Sequence, residues 1–202
     1  MTEYIIKPIG VVKSKADKEV LKYSNKDLKL DLDEVINQGS DLTTSKIIIN
    51  KEYLDCLDGI EDFSHIVVLF WTHNIPNNAR QIKKVHPAGL KRMPIKGIFA
   101  TRSPVRPNPI CKTTVKLIER NGSTLIVERL DAINNTPVID IKPHIPFYDS
   151  PLNVKLADWM YNLMEKLKEM ADKSELNDTS NPYSVDIRLH PCIHPDQQRN
   201  EP

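Results

Sequence analysis

The amino-acid sequence predicts a mainly β protein, an antiparallel barrel or sandwich, followed by one amphipathic helix. Short β-branched and apolar segments recur as far as Pro143, with little helical periodicity between them. An Asn-Gly pair at 121–122 separates two arms of alternating polarity, as in a tight hairpin. After Leu152 the apolar period changes to three or four residues. Short strands with one late helix favour antiparallel pairing over βαβ repeats.

The first half of the chain contains three predicted strands and one long polar segment. Residues 7–14 predict the first strand, and the polar residues 15–45 predict a long loop or insertion. Residues 46–50 predict a second strand, and residues 52–57 a single helical turn. Residues 64–72 are β-branched and apolar without alternation, which is typical of a strand covered on both faces. We therefore expect that strand to be central.

The second half continues the β pattern. Residues 74–94 are basic and interrupted by prolines, and they predict an excursion from the sheet. Residues 96–101 predict another strand. Residues 113–120 and 123–130 predict the two arms of the hairpin, because Asn-Gly tolerates the positive φ angles of its turn. Residues 138–142 predict a last short strand, which ends at a proline.

The C-terminal part predicts one helix and a tail. Apolar residues recur at helical spacing over 152–173, a pattern that indicates an amphipathic helix. Its apolar stripe must pack, either on the β domain or against a second copy of the chain. Residues 174–202 are polar and rich in proline, and we expect a loosely ordered tail.

Composition excludes several classes of protein. The chain has 202 residues, 40% hydrophobic and 27% charged, which fits one globular domain with an appendage. Its longest apolar run, Ile66–Trp71, is too short for a membrane span, and the first residues do not resemble a secretory signal. Three widely spaced cysteines indicate free thiols, so we expect a cytoplasmic protein. No two of the six glycines are closer than eight residues, which excludes the dinucleotide and Walker phosphate loops.

Charge is strongly segregated along the chain. Residues 63–118 contain ten Lys and Arg and neither Asp nor Glu, which leaves 18 basic residues and all 27 acidic residues elsewhere. Basic surfaces of this kind neutralise phosphates, so the segment indicates a polyanionic partner such as nucleic acid. The alternative is a solvated basic surface balanced by acids from other parts of the fold.

A proline-rich segment carries two arginines. Residues 101–110 hold three prolines within six positions, which excludes helix and keeps the backbone extended. Arg102 and Arg106 are thereby fixed on a stiff loop, suited to binding an anion. In the alternative interpretation the loop closes one end of the β domain and Arg102 braces a nearby carboxylate.

Histidines provide further candidate site residues. His65 precedes the buried strand and is best explained as a strand-end residue, whereas His73 and Asn74 leave the strand where a site could form. Neither histidine has metal-ligating neighbours at suitable spacing. The segment 190–194 could bind a soft metal through His and Cys, but it lacks a rigid scaffold. We expect no metal site.

Several motifs in order carry a resemblance to a known family. The motifs are Ile9–Ser14, Gly59–Ile66, Gly97–Pro104, Arg106–Ile110 and Asn135–Pro143. Together they resemble the TsaA-like (TrmO) methyltransferase family, over roughly residues 5–150. The resemblance implies a β-barrel that binds S-adenosyl-L-methionine near a homodimer interface and methylates N6 of threonylcarbamoyladenosine beside the tRNA anticodon.

The resemblance also implies which residues form the site. Cofactor contacts would come from His73, Asn74, Arg102, the backbone near Lys112, and Leu130, Asp131 and Ala132. Contacts with tRNA would come from Lys83, Lys84, Arg106 and Asn108. Arg102 would pair with the cofactor carboxylate, and Asp131 would accept from the ribose hydroxyls or face the sulfonium. The catalytic base is unassigned, with Asp131 and His73 as candidates.

The chain departs from the family pattern in three places. Residues 23–26 replace Pro-Arg-Gln, residues 111–113 replace Gly-Leu-Ser, and Asn134-Asn135 replace Asp-Gly before Thr136-Pro137. Two alternatives therefore stand beside tRNA methylation. One is a methyltransferase of the same fold with a small-molecule acceptor, and the other is a non-catalytic RNA-binding module.

Overall fold

Six antiparallel strands close into a barrel in the computed structural model, which describes residues 4–24, 26–31, 34 and 44–173. The ten strands of the described chain are β1 Gly10–Lys13, β2 Leu21–Ser24, β3 Asp27–Leu30, β4 Thr44–Ile49, β5 His65–Trp71, β6 Lys84–Val85, β7 Lys96–Gly97, β8 Ile110–Asn121, β9 Thr124–Glu128 and β10 Pro137–Pro143. The barrel follows the order β1-β10-β5-β8-β9-β4 and closes between β4 and β1. The antiparallel β-barrel is therefore confirmed, and the sandwich is excluded.

Alternating side chains fill the barrel. Ile47 and Ile49 of β4, and Ile66, Val68 and Phe70 of β5, are buried in one core with residues of the other barrel strands. A six-stranded barrel is narrow enough for side chains alone to fill its interior. The central position predicted for residues 64–72 is confirmed, because β5 pairs with β10 on one side and β8 on the other. The Asn121-Gly122 hairpin is also confirmed, with Gly122 at φ +58°.

Strand directions define two ends of the barrel. At one end β5 and β9 finish while β8 and β10 begin, and residues 101–109 approach β8 from there. We call this the proline end. The opposite end carries the Asn121-Gly122 turn, so we call it the hairpin end. Every barrel strand runs between these two ends because all pairings are antiparallel.

A second, smaller core lies beside the barrel and includes part of the segment 15–45, which was predicted to be a long loop or insertion. Strands β2 and β3 form a hairpin whose Leu28 is buried together with Ile75, Val85 and Ile98. Residues 21–30 are therefore an ordered β-hairpin insertion rather than a loop. The excursion itself is confirmed, since β6 and β7 form a separate two-stranded sheet.

One buried carboxylate joins the β2–β3 hairpin to the excursion. Asp27 accepts hydrogen bonds from Nδ1 of His86 at 2.5 Å, from the His86 backbone at 3.1 Å and from Nζ of Lys91 at 2.5 Å. Gly89, at φ +69°, brings the backbone against Leu28, where a Cβ would lie 3.0 Å from its carbonyl. We call Asp27, His86 and Lys91 the hairpin anchor.

The strand predicted over 96–101 is shorter than expected. Lys96–Gly97 pair in a strand, Ile98–Ala100 form a 3₁₀ turn, and Thr101 after the turn has an extended backbone. The turn closes because Thr101 donates to the Ile98 carbonyl through both its backbone N–H, at 3.1 Å, and its hydroxyl, at 2.9 Å.

Helix is found mainly after the barrel. The single turn predicted at 52–57 is confirmed as a 3₁₀ helix, Lys51–Leu57. Helix α1 covers Pro146–Asp149 and α2 covers Asp158–Lys173. The amphipathic helix predicted over 152–173 corresponds to α2, but its predicted start near Leu152 is wrong. Asn153 adopts φ +57°, which is incompatible with a right-handed helix at that position.

Leu163 of α2 is buried and Leu167 is 40% exposed. The predicted tail over 174–202 and the His and Cys of 190–194 lie outside the described residues. No described helix combines the length and apolar character that crossing a bilayer requires.

Candidate functional site

The proline-rich loop is tied to the end of β5. Backbone N–H of Thr72 donates to the Pro109 carbonyl at 2.9 Å, and its hydroxyl lies 3.0 Å from the same oxygen and 3.3 Å from the Pro104 carbonyl. Within the loop, Val105 is fully buried. The loop is thus anchored at both ends of its proline segment, so the two arginines it carries project from a rigid backbone.

Arg102 and the backbone at Lys112 meet, although they are ten residues apart. The Arg102 guanidinium donates to the Lys112 carbonyl at 2.7 Å and is otherwise solvent-exposed. One hydrogen bond uses a single one of its five N–H groups. This bond orients the guanidinium, and its remaining N–H groups can donate to an anionic ligand.

Asp131 lies at the apex of a tight turn that follows β9. The Ala132 N–H donates to the Leu130 carbonyl at 2.9 Å, which closes a three-residue turn around Asp131. Leu130 is buried in the barrel core and fixes the turn there. The Asp131 side chain is reached by solvent, yet burial by the surrounding protein raises its pKa, while Arg102 acts to lower it.

Cys111 links these side chains. Burial and the nearby Asp131 raise the pKa of its thiol to about 11, while Arg106 and Arg102 act in the opposite direction. Asp131, Arg102 and Arg106 therefore all lie near enough to Cys111, at the proline end, to affect the pKa of its thiol. Sequence reasoning noted Cys111 only as a departure from a family motif. Its place opposite Phe70 in the β5–β8 register is what brings it to the site.

His73 follows Thr72 directly at the same end. Its Nδ1 atom is enclosed by protein, and among the described residues it has no hydrogen-bond partner. Buried polar nitrogens are normally satisfied, so this ring nitrogen is available to pair with a bound group. Asn74, next along the chain, is exposed.

The departure at Asn134-Asn135 preserves a turn. Asn135 adopts φ +63°, in the left-handed region where the family has glycine, and asparagine is among the side chains that tolerate it best. Its Oδ1 accepts from Nζ of Lys13 at 2.7 Å, and Asn134 Oδ1 accepts from the Ser14 backbone at 3.5 Å. The pair therefore holds the approach to β10 against the end of β1.

The four residues predicted to contact tRNA lie in two places, the proline loop and the start of the β6–β7 sheet. Arg106 is half-buried near Cys111, and Asn108 is exposed, with its carbonyl accepting from Ile110 N–H at 2.7 Å. Lys83 and Lys84 are exposed at the start of the β6–β7 sheet.

Acids balance only part of the basic segment. Lys91 pairs with Asp27, and Lys116 with Glu128 at 3.8 Å. Within the described ranges, Arg80, Lys83, Lys84, Arg102 and Arg106 form no ion pair. The described residues also contain no cluster of three metal-ligating side chains.

Comparison with known proteins agrees with this architecture. Residues 35–150 match the family model of the tRNA-methyltransferase O N-terminal domain. A probable S-adenosyl-L-methionine-binding protein of Methanocaldococcus jannaschii is 42% identical over 118 residues, which are 58% of this chain and 92% of that protein. An S-adenosyl-L-methionine-binding protein of Archaeoglobus fulgidus is 40% identical over 147 residues, 72% of this chain and 92% of its own.

Longer relatives match over part of their length. The human tRNA (adenine(37)-N6)-methyltransferase is 44% identical over 117 residues, 56% of this chain but only 25% of the human protein. The crystal structure of TrmO from Pseudomonas aeruginosa superposes with a TM-score of 0.53 at 25% identity, covering 78% of this chain and 64% of that one. The family match spans most of the barrel and the whole proline end, and the chain therefore belongs to the tRNA-methyltransferase O N-terminal domain family.

Proposed function

We propose that this protein is an S-adenosyl-L-methionine-dependent methyltransferase that acts on N6 of an adenosine beside the anticodon of tRNA. Its family membership is the observation that carries the proposal. The names of the archaeal relatives support the cofactor, and the name of the human relative supports the acceptor. The finer acceptor, threonylcarbamoyladenosine, is part of the same proposal.

The proline end fits this cofactor chemically. A carboxylate suits the free donors of Arg102, which the Lys112 carbonyl orients. Hydroxyl or cationic groups suit Asp131, and the enclosed Nδ1 of His73 lacks a partner among the described side chains. When bound, S-adenosyl-L-methionine supplies an electrophilic methyl group. The chain provides an anion contact, a carboxylate and an unpaired ring nitrogen at one end of the barrel.

Methyl transfer depends chiefly on positioning. The anchored loop holds Arg102 and Arg106, and the Leu130–Ala132 turn holds Asp131, so both sides of the site rest on the barrel core. The proposed acceptor nitrogen belongs to a urea-like group and is a weak nucleophile. Asp131 is our candidate to accept its proton, since a raised pKa makes the carboxylate a better base.

The proposal extends to the partner RNA and to the chain's organisation. Lys83, Lys84, Arg106 and Asn108 would contact tRNA, supported by the absence of acids over 63–118. Residues 5–150 would form the methyltransferase domain, with α2 as an appended helix. We also include the homodimer that the family resemblance implies; sedimentation velocity measures it directly.

Calorimetry with S-adenosyl-L-methionine tests the cofactor site. Arg102→Ala should abolish measurable binding, because it removes the anion contact. Arg92→Ala is the matched control, since it removes the same charge from an exposed position of the same basic segment. Absence of binding by the wild-type protein would reject every methyltransferase interpretation and leave the RNA-binding module.

A methylation assay tests the acceptor. Labelled cofactor is incubated with tRNA that bears or lacks the threonylcarbamoyl group, and we expect label only in the modified tRNA. Lys83→Ala combined with Lys84→Ala should weaken tRNA binding with a shallower salt dependence and leave cofactor affinity unchanged. Lys51→Ala, at the hairpin end, is the control. Label in unmodified tRNA would reject the specific acceptor, and label in no RNA would favour a small-molecule acceptor.

A further inference from the structure

An apolar groove of about 600 Å³ lies beside the proline loop. Phe99, Ala100 and Pro107 form its apolar wall, and Arg80 and Lys83 lie on its rim. None of the residues assigned to the cofactor line it. The groove is thus a separate feature, connected to the site through Pro107 of the same loop.

Phe99 is the unusual residue of this groove. Its side chain is 79% exposed, while its neighbour Ile98 is buried. The backbone beneath it is fixed, because Ile98 N–H donates to the Lys83 carbonyl at 2.8 Å and Thr101 closes the turn. Because the ring is exposed and the backbone beneath it is fixed, Phe99 can present a flat apolar surface to a ligand.

The rim of the groove is positively charged. The Arg80 guanidinium lies 5.1 Å from the centroid of the Trp71 ring and donates to the Ile75 carbonyl at 3.3 Å, so it is held in place. Lys83 is exposed beside it, and no acid occurs between 63 and 118. An aromatic surface flanked by cations suits a single-stranded nucleic acid, because the ring can stack on a base while the cations contact phosphates.

A second copy of the chain fits the groove less well. A two-fold contact through this groove would bring the same patch of each copy together. Arg80 and Lys83 of one copy would then approach the same positively charged patch of the other, and the segment 63–118 that forms this patch contains no acid. Like charges brought together in this way oppose association. The charge pattern therefore favours a polyanion over self-association.

We propose that Phe99 is a stacking platform for an unpaired base of the substrate RNA, with Arg80 and Lys83 contacting the adjacent phosphates. This inference rests on the proposed function, because it assumes an RNA substrate. It adds a recognition element for a splayed loop base that the charged residues alone do not provide. A fully paired RNA offers no such base and would not use Phe99.

Binding of a labelled anticodon stem–loop RNA, followed by fluorescence anisotropy, tests the platform. Phe99→Ala should weaken binding by roughly 5- to 150-fold, the range for loss of one stacked base. The slope of affinity against salt should stay unchanged, because no charge is removed, whereas Lys83→Ala should lower it by about 0.7. Phe99→Trp should retain affinity, while Phe99→Leu, which is apolar but has no ring, should not.

Controls separate stacking from other causes. Phe147→Ala removes an aromatic ring that is 78% exposed, in α1 after the hairpin end, and should not change RNA affinity. A fully paired duplex should bind wild type and Phe99→Ala equally. Calorimetry should give the two proteins the same cofactor affinity, which also establishes that the variant is folded.

The outcomes distinguish this inference from the proposed function. If wild type methylates tRNA and Phe99→Ala binds the stem–loop equally well, the platform is refuted and the function stands. If Phe99→Ala instead changes the sedimentation coefficient to that of a smaller species, the groove is a contact between copies and the inference fails. If wild type binds cofactor but no RNA, both proposals fail.

Discussion

The hairpin anchor yields the prediction that can be worked furthest from the structure. Asp27→Asn keeps the shape of the side chain and an oxygen that can accept the backbone N–H groups of Leu28 and His86. It removes the charge that the His86 ring and Lys91 contact. Because Lys91 is 70% exposed, its bond is largely screened by water and contributes little. The half-buried bond to His86 is the main loss, roughly 1.5–3 kcal/mol for a hydrogen bond to a charged group.

The loss should be local. The anchor joins β2–β3 to the excursion and contributes nothing to the barrel core, so opening of the hairpin should become easier while the barrel stays closed. Hydrogen exchange followed by mass spectrometry should show faster exchange in 21–30 and 84–97, with protection in β5 and β8 unchanged. Asp31→Asn is the control, since it breaks the more exposed pair with Lys22 in the same hairpin and should have a smaller effect.

The anchor also predicts a pH dependence. Burial would raise the pKa of Asp27, but hydrogen bonds from Lys91 and His86 outweigh it and hold the pKa well below its usual value. A lowered native pKa means that the stabilisation is present above the unfolded pKa, about 4, and is lost as pH falls below it. The difference between wild type and Asp27→Asn should therefore be constant above about pH 5 and shrink on further acidification. A difference that grows below pH 4, or faster exchange spread evenly over the barrel, would refute this reasoning.

Three further predictions concern the barrel and its proline end. Gly10→Ala should destabilise the barrel by about 1–3 kcal/mol in urea unfolding, because the new Cβ would clash with the Ile48 carbonyl of β4. Gly97→Ala, whose Cβ would meet nothing within 4 Å, should not; equal effects would contradict the packing. Thr72→Val should lower the free energy of unfolding by about 1 kcal/mol, seen as a slightly lower melting temperature, because it removes the hydroxyl bonds to the proline loop. It should also weaken cofactor binding in calorimetry; unchanged affinity would contradict a rigid-loop requirement. Iodoacetamide near neutral pH should modify exposed Cys56 before Cys111, whose raised pKa keeps it protonated, and peptide mass spectrometry showing the reverse order would contradict its environment.

The barrel was predictable because its signals are local. The run of β5 identifies a strand covered on both faces, and Asn121-Gly122 with its alternating arms fixes a hairpin without knowledge of any other segment. The β2–β3 hairpin could not be found in this way. Its apolar residues are few, and Leu28 is buried because residues distant in sequence, among them Ile75, Val85 and Ile98, pack against it. The start of α2 at Asp158 could not be predicted from apolar spacing, because that spacing does not reveal the positive φ angle of Asn153.

The site was predictable in part for a similar reason. The prolines near Arg102 and Arg106 predict a stiff, positively charged loop from the sequence alone. That Arg102 contacts the Lys112 carbonyl, and that Cys111 shares its surroundings with Asp131, follows from the β5–β8 register and from the turn after β9. Phe99 gave no local signal, because a single phenylalanine between Ile98 and Ala100 reads as part of a strand. Only the folded chain shows that its ring is exposed and lines the groove beside the proline loop.

The antiparallel pairing of β1 with β10 determines where additional domains can be attached to the barrel. Gly10 pairs with Val138, so the polypeptide enters the barrel and leaves it at the hairpin end, away from Arg102 and Asp131. Extra polypeptide joined before β1 or after β10 can therefore extend without covering the proline end. Such an arrangement suits a family whose members range from proteins little longer than the barrel to the human relative, of which the matched region is only a quarter.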